Sequence, residues 1–175
     1  MALLDIVLEG DPRLRQKAHK IKHVDARIRK LAADMYETML DAPGIGLAGP
    51  QVGQMLRIIT VEVPPDYDED GSPGAKLILI NPEIVKASDT LLVEAEGCLS
   101  IPHWIGDVPR ADRVVVKARD LDFKELRVRA TGYVARVLQH EIDHLDGILF
   151  TDRVVDKNSL RYLSPKEGEP APVGE

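Results

Sequence analysis

Apolar and polar residues alternate with two periods along the chain, one typical of helices and one typical of strands. The helical period occurs first over residues 26–40. Apolar side chains recur there every three or four residues, which is typical of one buried helix face. The residues of this stripe are Ile28, Leu31, Met35 and Met39. Asp25 is suited to cap the helix start, and Pro43-Gly44 marks its end. The pattern predicts an amphipathic helix.

The same period returns late in the chain and predicts a second helix over about residues 131–146. Gly132 stands where this helix would open, and Gly147 stands where a C-terminal stop is expected. Its apolar positions are Val134, Val137, Leu138, Ile142 and Leu145. The helix carries the polar run His140 to His144, which makes it the first place to look for chemistry.

Shorter runs of alternating or β-branched residues predict strands between these two helices. They lie at about 56–63, 77–81, 84–86, 90–95, 113–118 and 125–130. Because strands and helices do not alternate regularly, we expect an α+β fold rather than a parallel α/β sheet.

The remaining segments are predicted to be loops, an arm and a tail. The glycine-rich stretch Gly44–Gln51 is predicted as a loop, and the polar segment 64–76 as a surface excursion of the same domain. The N-terminal nine residues suit a strand or a packing arm. Residues 165–175 are rich in Pro, Gly and Glu and predict an acidic, disordered tail after one catalytic domain over residues 1–164.

Composition narrows the classes of function without naming one. The 175 residues are 44% hydrophobic and 30% charged, as in ordinary globular domains, with a net charge of −6. That charge argues against a nucleic-acid surface as the main function. No apolar run approaches the roughly 20 residues that span a bilayer. The single cysteine, Cys98, excludes an internal disulfide and favours a reducing cytosol.

The run His140-Glu141-Ile142-Asp143-His144 predicts half of a metal site. Histidines four residues apart share one helix face, so both imidazoles can reach one ion. Glu141 is placed to reach water beside that ion. Asp143 suits either orienting a ligand histidine or a capping or surface role.

A catalytic site of this kind commonly has a third protein ligand. The position that carries a third histidine in one protease class holds Phe150, which excludes that class. Acidic alternatives downstream are Asp152, Asp156, Glu167 and Glu169, and none of them stands in a supporting pattern. Cys98 is the stronger candidate, because a thiolate is a good ligand for iron, zinc, nickel or cobalt. A lone cysteine is otherwise most often a small buried hydrophobe.

Three separated segments carry a family resemblance: GIGLAGPQ at 44–51, EGCLS at 96–100 and HEIDHLDG at 140–147. With these segments in this order, the chain resembles the peptide deformylases over about residues 5–155. The resemblance implies antiparallel or mixed sheets packed around a central helix that carries HExxH.

The resemblance also implies the site residues. They are the metal ligands Cys98, His140 and His144, the acid/base Glu141, the formyl-oxygen donors Gln51 (side chain) and Leu99 (backbone), and the cleft residues Ile45 and Gly46. The implied reaction is hydrolysis of the formyl group of formyl-methionyl nascent chains, in which metal-bound water attacks and Glu141 transfers the proton. The implied metal is Fe²⁺ in the cell, and Ni²⁺, Co²⁺ or Zn²⁺ can replace it. The implied place is the bacterial cytoplasm, near the ribosome, with no nucleic-acid or membrane binding of its own.

The chain departs from the family pattern at three places. Gly49 stands where a second alanine is usual, which predicts a looser loop. The segment 103–107 lacks an arginine that contacts substrate in some members, and Trp104 there suits either covering the cleft or simple packing. The acidic tail replaces a basic helix, which argues against ribosome docking by that route. Two other functions stay open on the motif alone: an endopeptidase with a downstream third ligand, and a binding module with an inactive site.

Overall fold

The computed structural model describes residues 2–67 and 75–164, and its fold is α+β as predicted. Two helices of more than three turns carry the core: α1 (Ala26–Asp41) and α2 (Gly132–Leu145). A single-turn helix, α3 (Phe150–Arg153), follows α2. Both long helices lie within one residue of the bounds that the apolar stripes predict.

A five-stranded antiparallel sheet forms the centre of the molecule, in the order β1-β2-β3-β6-β7. Its strands are β1 (Gly46–Ala48), β2 (Ile58–Val63), β3 (Ala75–Ala87), β6 (Arg113–Arg119) and β7 (Glu125–Thr131). A second sheet contains the long hairpin of β4 (Leu91–Cys98) and β5 (Ile101–Ala111), with the short β8 (Arg161–Tyr162) on its far edge.

The two long helices pack against opposite faces of the large sheet. Residues of α2 such as Leu138 share a core with Val61, Leu79 and Val116. Residues of α1 share a second core with side chains that point the other way from the same strands, among them Ile80. A third cluster surrounds Cys98 between the hairpin and the segment after α2. Burial of both faces explains why β2 and the first half of β3 read as nearly continuous apolar runs.

The N-terminal residues form a packing arm, one of the two predicted alternatives. The backbone N–H of Leu4 donates to Thr38 Oγ1 of α1 (2.9 Å). Farther along, Val7 N–H donates to the carbonyl of Gln51 (2.7 Å), and Glu9 N–H donates to the carbonyl of Ser100 (2.8 Å). We call residues 2–9 the N-terminal arm.

The structure differs from the sequence prediction in three connections. The stretch 44–51 is not a simple loop, because it contains β1 and a 3-10 turn at Gly49–Val52. Residues 101–111, for which no strand is predicted, form strand β5. The runs 77–81 and 84–86 belong to one strand, whose register shifts after Ile80.

Parts of the predicted boundaries lie outside the described residues. These are the tail at 165–175 and residues 68–74 of the polar segment. The division into one catalytic domain over residues 1–164 and a tail stays a prediction. Within the described ranges, no helix is long and apolar enough to cross a membrane.

Gly147 ends α2 and holds the helix against the N-terminal region. It adopts a left-handed φ of 76°. Its N–H donates to His144 O (3.2 Å) and the N–H of Ile148 donates to Asp143 O (3.0 Å), which satisfies the last carbonyls of the helix. A Cβ at this position would lie 2.5 Å from the carbonyl oxygen of Arg15. Both conformation and space therefore require glycine.

We predict that Gly147→Ala lowers the free energy of unfolding by about 2 kcal/mol or more, because it adds backbone strain and a steric clash. Urea unfolding followed by circular dichroism measures this change. Gly10→Ala is the matched control, since Gly10 has a φ of 102° but no atom within 4 Å of the added Cβ. Equal losses in the two variants would contradict a role for the contact with Arg15.

Candidate metal centre

Three potential ligand atoms converge where α2 meets the β4–β5 hairpin. Cys98 Sγ lies 3.3 Å from His144 Nε2, and His144 Nε2 lies 3.2 Å from His140 Nε2. All three ligand atoms lie within 4.8 Å of one another, and all three residues are buried. The structure therefore brings the lone cysteine together with the histidine pair, while its role as a metal ligand stays a prediction.

Local structure explains why these three side chains meet. His140 and His144 stand one turn apart on α2, so their rings point to the same side. Cys98 is the last residue of β4, and the two-residue turn Leu99-Ser100 returns the chain into β5. The sulfur is thus fixed by a paired strand on one side and by a tight turn on the other.

Glu141 lies beside the cluster without a partner of its own. Its side chain is fully buried, and within the described part of the chain neither carboxylate oxygen has a hydrogen-bond partner. Burial raises the pKa of the Glu141 carboxyl to about 7, so the group is poised to take up and release a proton near neutral pH.

Strand β1 leaves room for this carboxylate because it begins with Gly46. A Cβ on Gly46 would lie 2.4 Å from Glu141 Oε1. Ile45, the residue before it, is buried, and its carbonyl accepts a hydrogen bond from the backbone N–H of Glu62 on β2 (2.9 Å). The two predicted cleft residues therefore stand at the start of the sheet-edge strand nearest to Glu141.

Gln51 reaches the cluster from the 3-10 turn that follows β1. Its Nε2 lies 3.5 Å from Cys98 Sγ and donates to Ser100 Oγ (3.2 Å), while its Oε1 accepts from Ala48 N–H (3.0 Å). The amide is therefore held with its N–H₂ group toward the sulfur. Leu99 follows the cysteine directly, so its backbone N–H belongs to the same short turn.

A buried carboxylate that the sequence analysis did not single out orients one of the histidines. Glu96 Oε1 lies 2.8 Å from His140 Nδ1, and the same carboxylate accepts hydrogen bonds from Arg110 (2.8 and 2.9 Å) and from Arg136. Burial alone would raise the pKa of the Glu96 carboxyl. The hydrogen bonds from Arg110 and His140 outweigh it and hold the pKa well below its usual range. The group therefore stays ionised beside the ring.

Asp143 serves neither of the roles that the motif suggested for it. Its carboxylate accepts from Arg110 Nη1 (2.6 Å) and from Arg153 Nη2 (2.9 Å). It thus continues the ionic network behind α2, one step removed from the histidines. Arg136 lies on the helix predicted over 131–146, but Glu96 and Arg110 lie outside the predicted elements, so the sequence pattern offers no signal for this network.

Gly49 corrects another expectation, since the structure shows a crowded loop rather than a loosened one. A Cβ at Gly49 would lie 2.4 Å from Leu56 O and 2.8 Å from Gln54 O. The missing methyl group allows the 3-10 turn to pack closely against the following segment.

Trp104 is 42% exposed and packs edge-on against the ring of Tyr162, at 5.6 Å between centroids.

The donor set fits a divalent transition metal. One thiol and two imidazoles are three protein ligands, which is the number that catalytic sites of this type use. The contact of Glu96 with Nδ1 of His140 leaves Nε2 of that ring facing the cluster, as in metal-bound histidines.

The acidic alternatives for the third ligand are not found at the cluster. Asp152 binds Arg15, and Asp156 caps a 3-10 turn, while Glu167 and Glu169 lie outside the described residues.

Comparisons with known proteins agree with this geometry. A family model described as polypeptide deformylase matches residues 3–159. A curated peptide deformylase of Thermomicrobium roseum is 58% identical over 98% of this chain and 97% of its own length. The crystal structure of the Ehrlichia chaffeensis peptide deformylase in complex with actinonin superposes with a TM-score of 0.84 at 38% identity, over 91% of this chain and 92% of the other. For the Thermotoga maritima enzyme the TM-score is 0.81 at 35% identity, with coverages of 88% and 99%.

The fold and the buried cluster are those of a metal-dependent hydrolase whose central helix carries HExxH. The chain belongs to the polypeptide deformylase family, because the family model spans almost all of its described residues. It is therefore an enzyme of protein biosynthesis that removes the N-terminal formyl group from nascent polypeptides.

We predict that Glu96→Gln lowers the free energy of unfolding of the metal-free protein by about 3 kcal/mol, because two buried arginines each lose a carboxylate partner that is fully buried. Chemical denaturation measures the loss. The matched control is Glu94→Gln, since Glu94 lies 3.5 Å from the same Arg136 but is 55% exposed. An exposed pair contributes less than about 1 kcal/mol. A Glu96 variant as stable as this control would contradict the proposed weight of the buried network.

Proposed function

We propose that Cys98, His140 and His144 hold one divalent metal ion and that Glu141 transfers the proton during deformylation. The single observation that carries this proposal is the convergence of one sulfur and two imidazole nitrogens beside a buried carboxylate that has no hydrogen-bond partner of its own in the described structure. A structural core would not leave such a carboxylate unsatisfied, since burial without a partner costs free energy.

We propose Fe²⁺ as the ion in the cell, and Ni²⁺, Co²⁺ or Zn²⁺ as ions that can replace it. All four accept a thiolate together with imidazoles. Such an ion, when bound, lowers the pKa of a coordinated water and polarises the formyl oxygen. Everything else in the reaction is assigned to side chains and backbone groups of this chain.

Glu141 is the proton carrier in this proposal. Its carboxylate accepts a proton from the attacking water and later delivers that proton to the departing amine nitrogen, which yields formate and a free N-terminus. A pKa of about 7 suits both transfers, because the group is neither held fully ionised nor held fully protonated at neutral pH.

Two donors are assigned to the formyl oxygen, where negative charge develops. They are Nε2 of Gln51, which is already oriented by Ala48 and Ser100, and the backbone N–H of Leu99. A preorganised donor of this kind typically contributes about 2.7–4 kcal/mol to lowering a barrier. Ile45 and Gly46 lie on the edge of β1, where an extended substrate backbone can add as a further strand.

The substrates that we propose are formyl-methionyl nascent chains close to the ribosome, in the cytoplasm of a bacterium. The bacterial relatives support the compartment, and the actinonin complex of the Ehrlichia enzyme supports a peptide-like ligand at this site. Within the described residues the endopeptidase alternative finds no support, because neither Asp152 nor Asp156 is at the cluster.

We predict that the metal-loaded enzyme releases formate from formyl-Met-Ala-Ser and that Glu141→Gln lowers this rate at least about 100-fold, as expected when a proton carrier is removed. Formate is measured with a coupled formate dehydrogenase assay. Metal content, measured by elemental analysis, should stay at one ion per chain, whereas Cys98→Ala should lose the ion. Release of internal fragments from unformylated peptides, or no formate with iron, nickel or cobalt, would overturn the proposal.

Because a thiolate is one of the proposed ligands, we predict that the bound ion decides how long the enzyme keeps its activity in air. Ferrous iron beside a thiolate exposes both metal and sulfur to oxidation. We expect the iron-loaded enzyme to lose activity in air while the nickel-loaded enzyme keeps it, measured as formate release after timed exposure. Mass spectrometry should then find the added oxygen on Cys98. Equal survival of the two forms would count against iron as a partner of this sulfur.

A further inference from the structure

A groove lies at the end of the large sheet, where α1 finishes and β1 begins, and it shares Ile45 with the site described above. Its volume is about 720 Å³, within the range of pockets that hold drug-sized ligands. A groove of this size has room for a short peptide segment and not only for one side chain. Most of its walls are apolar or aromatic, and they include Tyr36, Leu40, Pro43 and Tyr67. We call it the α1 groove.

The α1 groove continues the strand edge on which the substrate is proposed to lie. In the described sheet β1 is an edge strand, because it pairs with β2 alone. Gly46 at its start lies beside the carboxylate of Glu141, and the two residues before it, Gly44 and Ile45, line the groove. Two residues of extended chain span about 7 Å. A peptide that leaves the metal centre along β1 therefore reaches the groove within a few residues.

The backbone at this point has groups that an added strand can use. The carbonyl of Ile45 accepts from Glu62 N–H, and the N–H of Gly44 donates to the carbonyl of Met39 at the end of α1 (2.8 Å). Within the described part of the chain, the N–H of Ile45 and the carbonyl of Gly44 make no backbone hydrogen bond. An extended peptide can pair with these two groups, as in other cases of strand addition.

The two charged side chains that line the groove are both engaged with Tyr36. The hydroxyl of Tyr36 donates to Glu62 Oε2, and Lys76 Nζ lies 4.2 Å from the centre of its ring. One carboxylate and one ammonium group leave this wall without net charge. A charged ligand side chain would therefore lose hydration without gaining a free partner, whereas an apolar side chain would gain burial.

The opposite wall adds a second aromatic surface, and the end of α1 adds an uncovered aliphatic one. Tyr67 packs against Tyr133 at 4.9 Å between ring centroids and remains half-exposed. Leu40 is 48% exposed although it lies next to the groove. Aromatic side chains bury a large area and stack favourably on other rings, so they suit these walls best.

We infer that the α1 groove binds the third and fourth residues of the formylated chain and selects bulky apolar side chains there, aromatic ones above all. The inference rests on the proposed function, because the direction of the peptide follows from placing its formyl group beside Glu141. Formyl-methionine and the second residue occupy the edge of β1, and the next two residues come to lie between Leu40 and Tyr67.

Calorimetric titration of the metal-loaded full chain carrying E141Q tests the inference, because intact formyl peptides then bind with little turnover. Three formyl-Met-Ala heptapeptides of one composition carry tryptophan as the third, fourth or seventh residue, among alanine and serine. We expect tryptophan at the third or fourth residue to tighten binding about tenfold relative to the seventh, as burial of an aromatic side chain predicts. In the chain with Glu141 intact, kcat/KM for formate release should follow the same order.

A variant pair locates the effect in the groove. L40S in the E141Q background removes one apolar wall and should reduce the tenfold preference to about threefold or less. The matched control is L91S, because Leu91 is a 58% exposed leucine of β4 that does not line the groove. This control should keep the full preference.

The outcomes separate this inference from the proposed function. A chain with Glu141 intact that releases no formate from formyl-Met-Ala-Ser overturns the proposed function, whereas the titration measures the groove without turnover. Absence of binding, equal affinity for the three heptapeptides, or an equal loss of preference in L40S and L91S would overturn the inference. Tighter binding of lysine or glutamate than of tryptophan at the third residue would overturn the assignment of apolar side chains.

Discussion

The contact between Glu96 and His140 is the constraint on which the site depends. It fixes the ring through Nδ1 and so decides which nitrogen faces Cys98 and His144. The carboxylate can remain charged in the interior because Arg110 and Arg136 are buried with it. Without those arginines its burial would favour the neutral acid, and the ring would lose its acceptor. The chemistry of the metal centre thus depends on an ionic core behind it.

That core also explains the architecture around the site. Glu96 comes from β4, Arg110 from β5, and Arg136 and His140 from α2. The network therefore joins the β4–β5 hairpin to α2 through ionic contacts, whereas the large sheet contacts the same helix through apolar packing. Ionic contacts and apolar packing therefore meet along α2, and the helix face that carries His140 and His144 lies between them.

The sequence predicted the helices that have a strong hydrophobic period and the site residues that belong to a recognisable motif. The stripes of α1 and α2 located both helices, because burial of one face leaves its period in the sequence. The Cys/His/His cluster followed from ligand chemistry and from the family resemblance. The resemblance also carried Gln51, whose Nε2 lies 3.5 Å from Cys98 Sγ; its role as a donor to the formyl oxygen stays a prediction.

The features that the sequence did not reveal depend on contacts between distant segments. Strand β1 is only three residues long, and its pairing with β2 is made by partners that local propensity cannot show. The bulge in β3 occurs at Asn81, whose side chain binds the backbone of Ile21, sixty residues away in the chain. Asp143 was given local roles because its arginine partners come from β5 and from α3. Pairings of this kind are set by the tertiary fold.

The N-terminal arm has a consequence for how the enzyme is handled. Val7 is tied to the carbonyl of Gln51 and Glu9 to that of Ser100, the two residues whose side chains meet beside the sulfur. The N-terminal arm is therefore a brace that joins the backbones of Gln51 and Ser100. Trimming the arm, or fusing a purification tag that pulls on it, would loosen the backbone that positions Gln51 and the turn after Cys98.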